Sequence, residues 1–373
     1  MIYLDNAATS MPKPAAVTAA ATNALTRMSS PGRGGHEYAM AAAETAYRCR
    51  EKAAALFNVP DPEHVVFTHN ATMGLNIAIH STVKAGDRVL VSGYEHNAVM
   101  RPLELIGADV VVCRSGLFQP EDALLAIEDR LTSGVKTVIV NHVSNVFGFV
   151  LPVDRIGALC RQRGIPFIVD ASQSAGAVTV DFQSLNADFI AMPGHKGLYG
   201  PQGTGLLLCG DRAKPFIAGG TGSDSADRKM PDYLPDMLEA GTHNMVGIAG
   251  LEAGIDFVSR RGVDAILAHE RELVRRTVNG LTGIGGMTVY TCPHLFCQTG
   301  VVSFNISGLQ SERVGEELAK RGFAVRCGLH CAPEAHKSAG TFDTGTVRVS
   351  FGAFNTARDA DRLVRAVKAI INK

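Results

Sequence analysis

Lys196 stands in a glycine-rich turn, Met192-Pro193-Gly194-His195-Lys196-Gly197-Leu198-Tyr199-Gly200-Pro201-Gln202-Gly203-Thr204-Gly205, between the apolar runs 188–191 and 206–209. Just upstream, the apolar run 165–170 ends in a carboxylate, Asp170, followed by Ala171-Ser172-Gln173. An amine at one strand's end and an acid at its neighbour's can together serve a Schiff-base cofactor. The amine carries an aldehyde, and the carboxylate holds a pyridinium nitrogen protonated so that the ring draws electrons. A lone loop lysine is ordinarily a solvated one, so Lys196 by itself decides nothing. A second reactive stretch, Ala324-Val325-Arg326-Cys327-Gly328-Leu329-His330-Cys331-Ala332-Pro333, sets Cys331 near Arg326 and His330. Both neighbours favour a thiolate electrostatically; a buried structural cysteine is the alternative. Arg348, in Gly345-Thr346-Val347-Arg348-Val349-Ser350, offers a planar guanidinium suited to a two-point carboxylate contact, or else a salt bridge.

Elements must bring these groups together. Apolar runs at 64–67, 88–92, 110–113, 137–140 and 166–169 read as strands, with helical patterns at 38–57, 121–131 and 155–163 between or before them. That alternation predicts an α/β fold with a mostly parallel sheet and helices on both faces. Ligands bind such sheets at the carboxyl ends of the strands, where Thr72, His96, Asn145, Asp170 and Lys196 fall. Thr68-His69-Asn70-Ala71-Thr72 opens a helix, and its first-turn N–H groups suit an anion, although a plain Asn or Thr cap has the same pattern. The loop Ser29-Ser30-Pro31-Gly32-Arg33-Gly34-Gly35-His36 is either an active-site wall or a connection. Beyond a helix at 246–260, strands at 288–290, 301–305 and 347–350 and helices at 311–321 and 359–371 predict a smaller α+β domain. The expected division is 15–250 for the large domain and 251–373 for the small one, with residues 1–14 packing near the latter and the active site. Gly200-Pro201-Gln202-Gly203-Thr204-Gly205 lacks dinucleotide-fingerprint spacing and opens a strand.

The turn around Lys196, with Asp170 and Gln173, resembles the lysine motif of the class V aminotransferases, a fold-type I pyridoxal 5'-phosphate (PLP) group. It is most similar to the cysteine desulfurases and selenocysteine lyases of the Suf type. The resemblance runs from Leu4-Asp5-Asn6-Ala7-Ala8-Thr9 to Phe354-Asn355-Thr356. It implies the PLP-dependent transferase fold of type I, with a mostly parallel seven-stranded sheet in the large domain. Lys196 would carry the cofactor aldehyde and move the substrate α-proton, Asp170 would pair with the ring nitrogen, and Gln173 would donate to the ring phenolate. His96, in Glu95-His96-Asn97, would stack on the ring. Ala71, Thr72 and His195 would hold the phosphate, joined by Thr242 from the other subunit of a homodimer. Asn145, Arg348 and Arg326 would face the substrate, L-cysteine or L-selenocysteine. Cys331, in a segment that resembles the desulfurase pattern Arg-x-Gly-x-His-Cys-Ala, would take up sulfur as a persulfide for a sulfur-acceptor protein, while Cys327 has no matching role. Two departures stand out. Pro193 replaces a phosphate-donating serine or threonine, and Gly197 separates Lys196 from Leu198. An aminotransferase or epimerase using the same site without sulfur transfer, and a sulfur-carrier scaffold, are the competing expectations.

Composition narrows the classes further. Lys plus Arg balances Asp plus Glu at 36 each, which gives no reason to expect nucleic acid or an anionic membrane as partner. Met1-Ile2-Tyr3-Leu4-Asp5 lacks signal-peptide order and no apolar run reaches spanning length, so a cytoplasmic protein is expected. Eight cysteines in 373 residues are not a disulfide framework. Cys49, Cys113, Cys160 and Cys209 are expected to be buried thiols. Cys292 and Cys297 lack the second pair that a zinc site needs, so no metal is expected.

Overall fold

The computed structural model describes residues 1–32 and 34–372; Arg33, in the glycine-rich loop read above as either a wall or a connection, lies outside them. In chain order the elements are β1 (Ile2–Tyr3), α1 (Ala15–Arg27), α2 (Glu37–Phe57), β2 (Val65–Thr68), α3 (Ala71–Thr82), β3 (Arg88–Ser92), α4 (Asn97–Ile106), β4 (Asp109–Cys113), α5 (Pro120–Glu128), β5 (Val135–Asn141), α6 (Val153–Gln162), β6 (Phe167–Asp170), β7 (Phe189–Pro193) and β8 (Gly205–Cys209). There follow α7 (Met245–Arg261), α8 (Val263–Leu281), β9 (Met287–Tyr290), β10 (Val301–Ile306), α9 (Ser311–Lys320), β11 (Phe323–Ala324), β12 (Arg326–Gly328), α10 (Pro333–Ala339), β13 (Thr346–Ser350) and α11 (Ala357–Ile371).

A seven-stranded sheet in the order β2-β8-β7-β6-β5-β3-β4 carries the first half of the chain. Its pairs are parallel except where β8 meets β2 and β7. Helices cover both faces, which is why β6, β7 and β8 read as continuous apolar runs rather than alternating ones. Successive residues nevertheless go to opposite cores. Val89, Val91, Ile139 and Ile168 pack with Leu75 of α3 and Leu103 of α4. Leu90, Val138, Val140, Phe167 and Val169 pack with Phe57 of α2, Ile127 of α5 and Ile156 of α6.

The second half builds an antiparallel sheet in the order β12-β13-β10-β9, covered by Leu273 of α8, Leu318 of α9 and Leu363 of α11. The chain's start is stitched into this half. β1 pairs with β11 in parallel, and Asp5 bridges to Ser350. Helix α7 runs through the expected boundary at residues 250 and 251. Helix α8 was not among the expected elements, although Ile266, Leu273, Val274, Thr277 and Leu281 form its buried stripe at helical spacing. None of the described helices is long and apolar enough to cross a membrane.

Candidate active site

The lysine turn leaves the sheet at the end of β7 and is closed by backbone bonds, Gly194 N–H to the Thr204 carbonyl at 2.8 Å and Gly200 N–H to the Gly194 carbonyl at 2.8 Å. Gly197 presses against the turn after β6, so that a Cβ there would lie 2.3 Å from the Ala175 carbonyl oxygen. The residue that departs from the family pattern is therefore a glycine for lack of room. The Lys196 carbonyl accepts the Tyr199 N–H at 2.9 Å, while its side-chain amine makes no hydrogen bond or ion pair among the described residues. Burial pushes its ammonium down to about 8, against the upward pull of Asp170, with Arg348 and Arg326 adding to the descent.

Around this amine lies a cavity lined by Asn70, Ala71, Thr72, His96, Asn145, Asp170, Gln173, His195 and Lys196 among others. At the start of α3 the Asn70 side chain accepts the Met73 N–H at 2.9 Å. The N–H groups of Ala71 and Thr72 are left without an acceptor among the described residues, open to an anion. Asp170 is buried at the end of β6, and its Oδ1 accepts the Ser172 N–H at 2.9 Å. His96 caps α4, its Nδ1 accepting the Ala98 N–H at 3.0 Å. That contact places the ring proton on Nε2, and burial lowers the ring's pKa so that it stays neutral. Gln173 donates to the Ala7 carbonyl at 2.9 Å, which holds its amide against the N-terminal segment.

The His195 ring is pushed down to about 4 by burial and by Lys196 and Lys13, and its buried Nδ1 has no partner. Its carbonyl is crowded with donors. Ser10 N–H at 3.0 Å, Ser10 Oγ at 3.1 Å, Thr9 Oγ1 at 3.1 Å and Lys13 Nζ at 2.8 Å all reach it. Residues 9–13 thus clamp the lysine turn, a role the sequence assigned only loosely to the N-terminal segment. Glu95 was also missed. It is fully buried, accepts Ser92 Oγ at 2.5 Å and Asn141 N–H at 2.9 Å, and is pushed up to about 8 chiefly by burial, with Asp170 nearby adding to the rise. Its only sequence signal is its place before His96.

Arg348 and Cys331 approach from the other half of the chain. Arg348 is 1% exposed, with Nη2 on Asp5 Oδ1 at 2.6 Å and Nη1 on the Asn145 carbonyl at 2.9 Å. The sequence did not suggest Asp5 as its partner. Asn145 donates to the His330 carbonyl at 2.8 Å, and its buried Oδ1 is unpartnered. Cys331 is exposed, in a left-handed conformation (φ 58°) directly after left-handed His330 (φ 53°). Its carbonyl accepts the Asn97 N–H at 2.8 Å, beside His96, and Arg326 Nη2 lies 3.6 Å from its Sγ.

One expectation is corrected here. His330 does not lend charge to the thiol: it is buried, stacked on His336 with centroids 5.6 Å apart, and pushed down to about 2 by burial and Arg348. Cys327 is half-buried, its Sγ 2.5 Å from where a Gly315 Cβ would be, and its thiol is pushed up to about 12 by burial. Thr242 is exposed and lines a different cleft, beside Phe67 and His69. Among the described residues no group of three His, Cys, Asp or Glu could hold a metal.

The set of groups fits a phosphorylated pyridine aldehyde, with open amides for the phosphate, a buried carboxylate for the ring nitrogen and an unpartnered amine. Comparison with known proteins points the same way. A protein from Methanothermobacter thermautotrophicus named as a probable cysteine desulfurase is 34% identical over 99% of this chain and 94% of its own. A cysteine desulfurase from Salmonella agona is 30% identical over 99% of this chain and 93% of its own. The apo structure of the cysteine desulfurase from Thermococcus onnurineus superposes with a TM-score of 0.89 at 32% identity, covering 100% of this chain and 94% of that one. The family described as class V aminotransferases matches residues 2–363. The chain belongs to that PLP-dependent family.

Proposed function

We propose that this protein is a cysteine desulfurase that uses PLP to convert L-cysteine to L-alanine, leaving the sulfur as a persulfide on Cys331, with L-selenocysteine as a second substrate. The observation that carries the reading is the exposed Cys331 thiol with a guanidinium 3.6 Å away. It lies on a loop whose carbonyls hold Asn145 and the residue after His96. The names of the relatives support the same activity.

In this reading the Ala71 and Thr72 amides and His195 would hold the phosphate, Asp170 would pair with the ring nitrogen, Gln173 would give its remaining N–H to the phenolate oxygen, and neutral His96 would stack on the ring. PLP, when bound, supplies an electron sink for the substrate's α-carbon. Lys196, with an amine held near 8, takes and returns the α-proton. The α-carboxylate is gripped by Arg348 beside Asn145. Cys331 Sγ forms the new S–S bond as the substrate's Cβ–S bond breaks, and Arg326 stabilises the attacking thiolate. Thr242, exposed and away from its own chain's cavity, suits a contact with the partner subunit's phosphate, which makes a homodimer the working unit. The persulfide would pass to an acceptor protein in the cytoplasm, a compartment that suits eight free thiols.

Incubation with L-cysteine and a reductant tests this: equal amounts of alanine and sulfide are expected. Spectral change without sulfide would overturn it in favour of an aminotransferase or epimerase.

A further inference from the structure

Cys292 and Cys297 bracket the irregular loop between β9 and β10. Pro293 starts a single tight turn, and His294 (φ 54°) and Leu295 (φ 56°) are both left-handed, so the chain curls back on itself. Two consecutive non-glycine residues in that region are strained; burial of Leu295 in the core of the C-terminal sheet offsets the strain. The curl brings the two Sγ atoms to 2.9 Å, against about 2.05 Å in a disulfide. Among the described residues no other two cysteines touch. Each thiol also lies over a backbone carbonyl, Cys292 over Pro293 and Cys297 over Phe118, as Cys113 and Cys209 do over Val111 and Leu207. Among the described residues no third ligand completes a metal site here.

The loop is also tied to the hairpin that carries Asn145. The Cys297 carbonyl accepts the Val150 N–H at 2.9 Å, and Thr299 N–H reaches the Gly148 carbonyl at 3.0 Å. Fully buried Gln298 accepts the Cys292 N–H at 2.8 Å and donates to the Phe147 carbonyl at 3.3 Å. Arg271 of α8 holds the Gln298 carbonyl at 2.7 Å, while burial and the neighbouring Cys292 thiol push the Cys297 thiol well up, so that the thiolate forms only when the loop opens.

We propose that Cys292 and Cys297 form a reversible intramolecular disulfide, a modification site that staples the loop buttressing the Asn145 hairpin. The oxidant is a small disulfide. One thiolate attacks it, releasing one small thiol and leaving a mixed disulfide. The neighbouring thiolate then displaces the second small thiol, so two electrons pass from the pair to the reagent, and the two protons that the cysteine thiols give up end on the two departing small thiols. Both cysteines are buried, at 2% and 5% exposed, and exchange therefore waits on local opening of the loop and is slow. The inference does not depend on the desulfurase reading.

The test uses the native PLP-loaded protein and 2-hydroxyethyl disulfide, followed by thiol blocking and tryptic mapping. Residues 277–313 form one tryptic peptide that holds both cysteines and no other. Closure is expected to make that peptide lighter by two hydrogens, reversibly with dithiothreitol. In Cys292→Ser or Cys297→Ser that loss should vanish, leaving at most a mixed adduct on the remaining thiol. The proposal is overturned if the peptide stays fully reduced after Cys331 is converted to its adduct, or if it closes only when denaturant unfolds the chain.

Discussion

The two reactive groups are prepared in opposite ways. Lys196 sits on a turn walled by glycines, without a partner, and burial depresses its pKa. Cys331 is held out on an exposed, left-handed loop with one guanidinium for company. An amine gains reactivity when water is stripped away, because desolvation disfavours its charged form. The same treatment would disable a thiol, whose reactive form is the charged one. Half-buried Cys327, four residues before Cys331 and pushed up to about 12 by burial, is the internal control.

The largest expected effect is at the amine. Lys196→Ala should remove the yellow absorbance and cut turnover by on the order of 10²–10⁴-fold, the range for losing a positioned acid–base group. Cys331→Ala should keep the absorbance and lose the persulfide, and a variant that still releases sulfide would break the contrast. Gly197→Ala comes next: with a Cβ 2.3 Å from a carbonyl the turn must move. A fall in unfolding stability of about 1–3 kcal/mol, measured by denaturant titration, is expected with weakened PLP binding. Arg326→Gln should lower kcat/KM for cysteine by roughly tenfold, the loss of one charge-assisted contact, with the absorbance unchanged; an unaltered kcat/KM would remove the guanidinium from the account.

The smallest effect concerns acid. His195 by the lysine and His330 behind the cysteine are held neutral, at about 4 and about 2. The unfolded chain takes up protons on these residues below about 6.5 while the folded one does not, so stability is lost as pH falls beneath that value. His330→Asn should remove its share, on the order of 2 kcal/mol at about pH 5, and flatten the acid limb of a thermal melt. A limb of unchanged slope would mean that His330 titrates in the fold.

Strands β3 to β8 were legible because strands covered on both faces leave uninterrupted apolar runs, and the glycine turn was legible because close backbone approach excludes side chains. Positions that depend on contacts between distant segments were not. Nothing local to Asp5 says that it will meet Arg348, and nothing in His330 says that it will stack on His336 rather than face a thiol. Glu95 looks like a surface acid until the sheet brings Asn141 to it. Helix α8 did have a readable stripe, but its exposed charges, among them Glu272, Arg275 and Arg276, dilute it.

Pairing of β1 with β11, together with Asp5 on Arg348 and residues 9–13 on the His195 carbonyl, gives the site an order of assembly. Ile2 and Tyr3 wait for Phe323 and Ala324, and Asp5 waits for Arg348. Until that later segment has been made β1 has no strand to pair with and Asp5 no guanidinium, although residues 9–13 and the His195 carbonyl are already present. A nascent chain can hold a finished large sheet before Cys331 and Arg348 exist, so the exposed thiol and the buried amine belong to one site only once the chain has been made through Arg348.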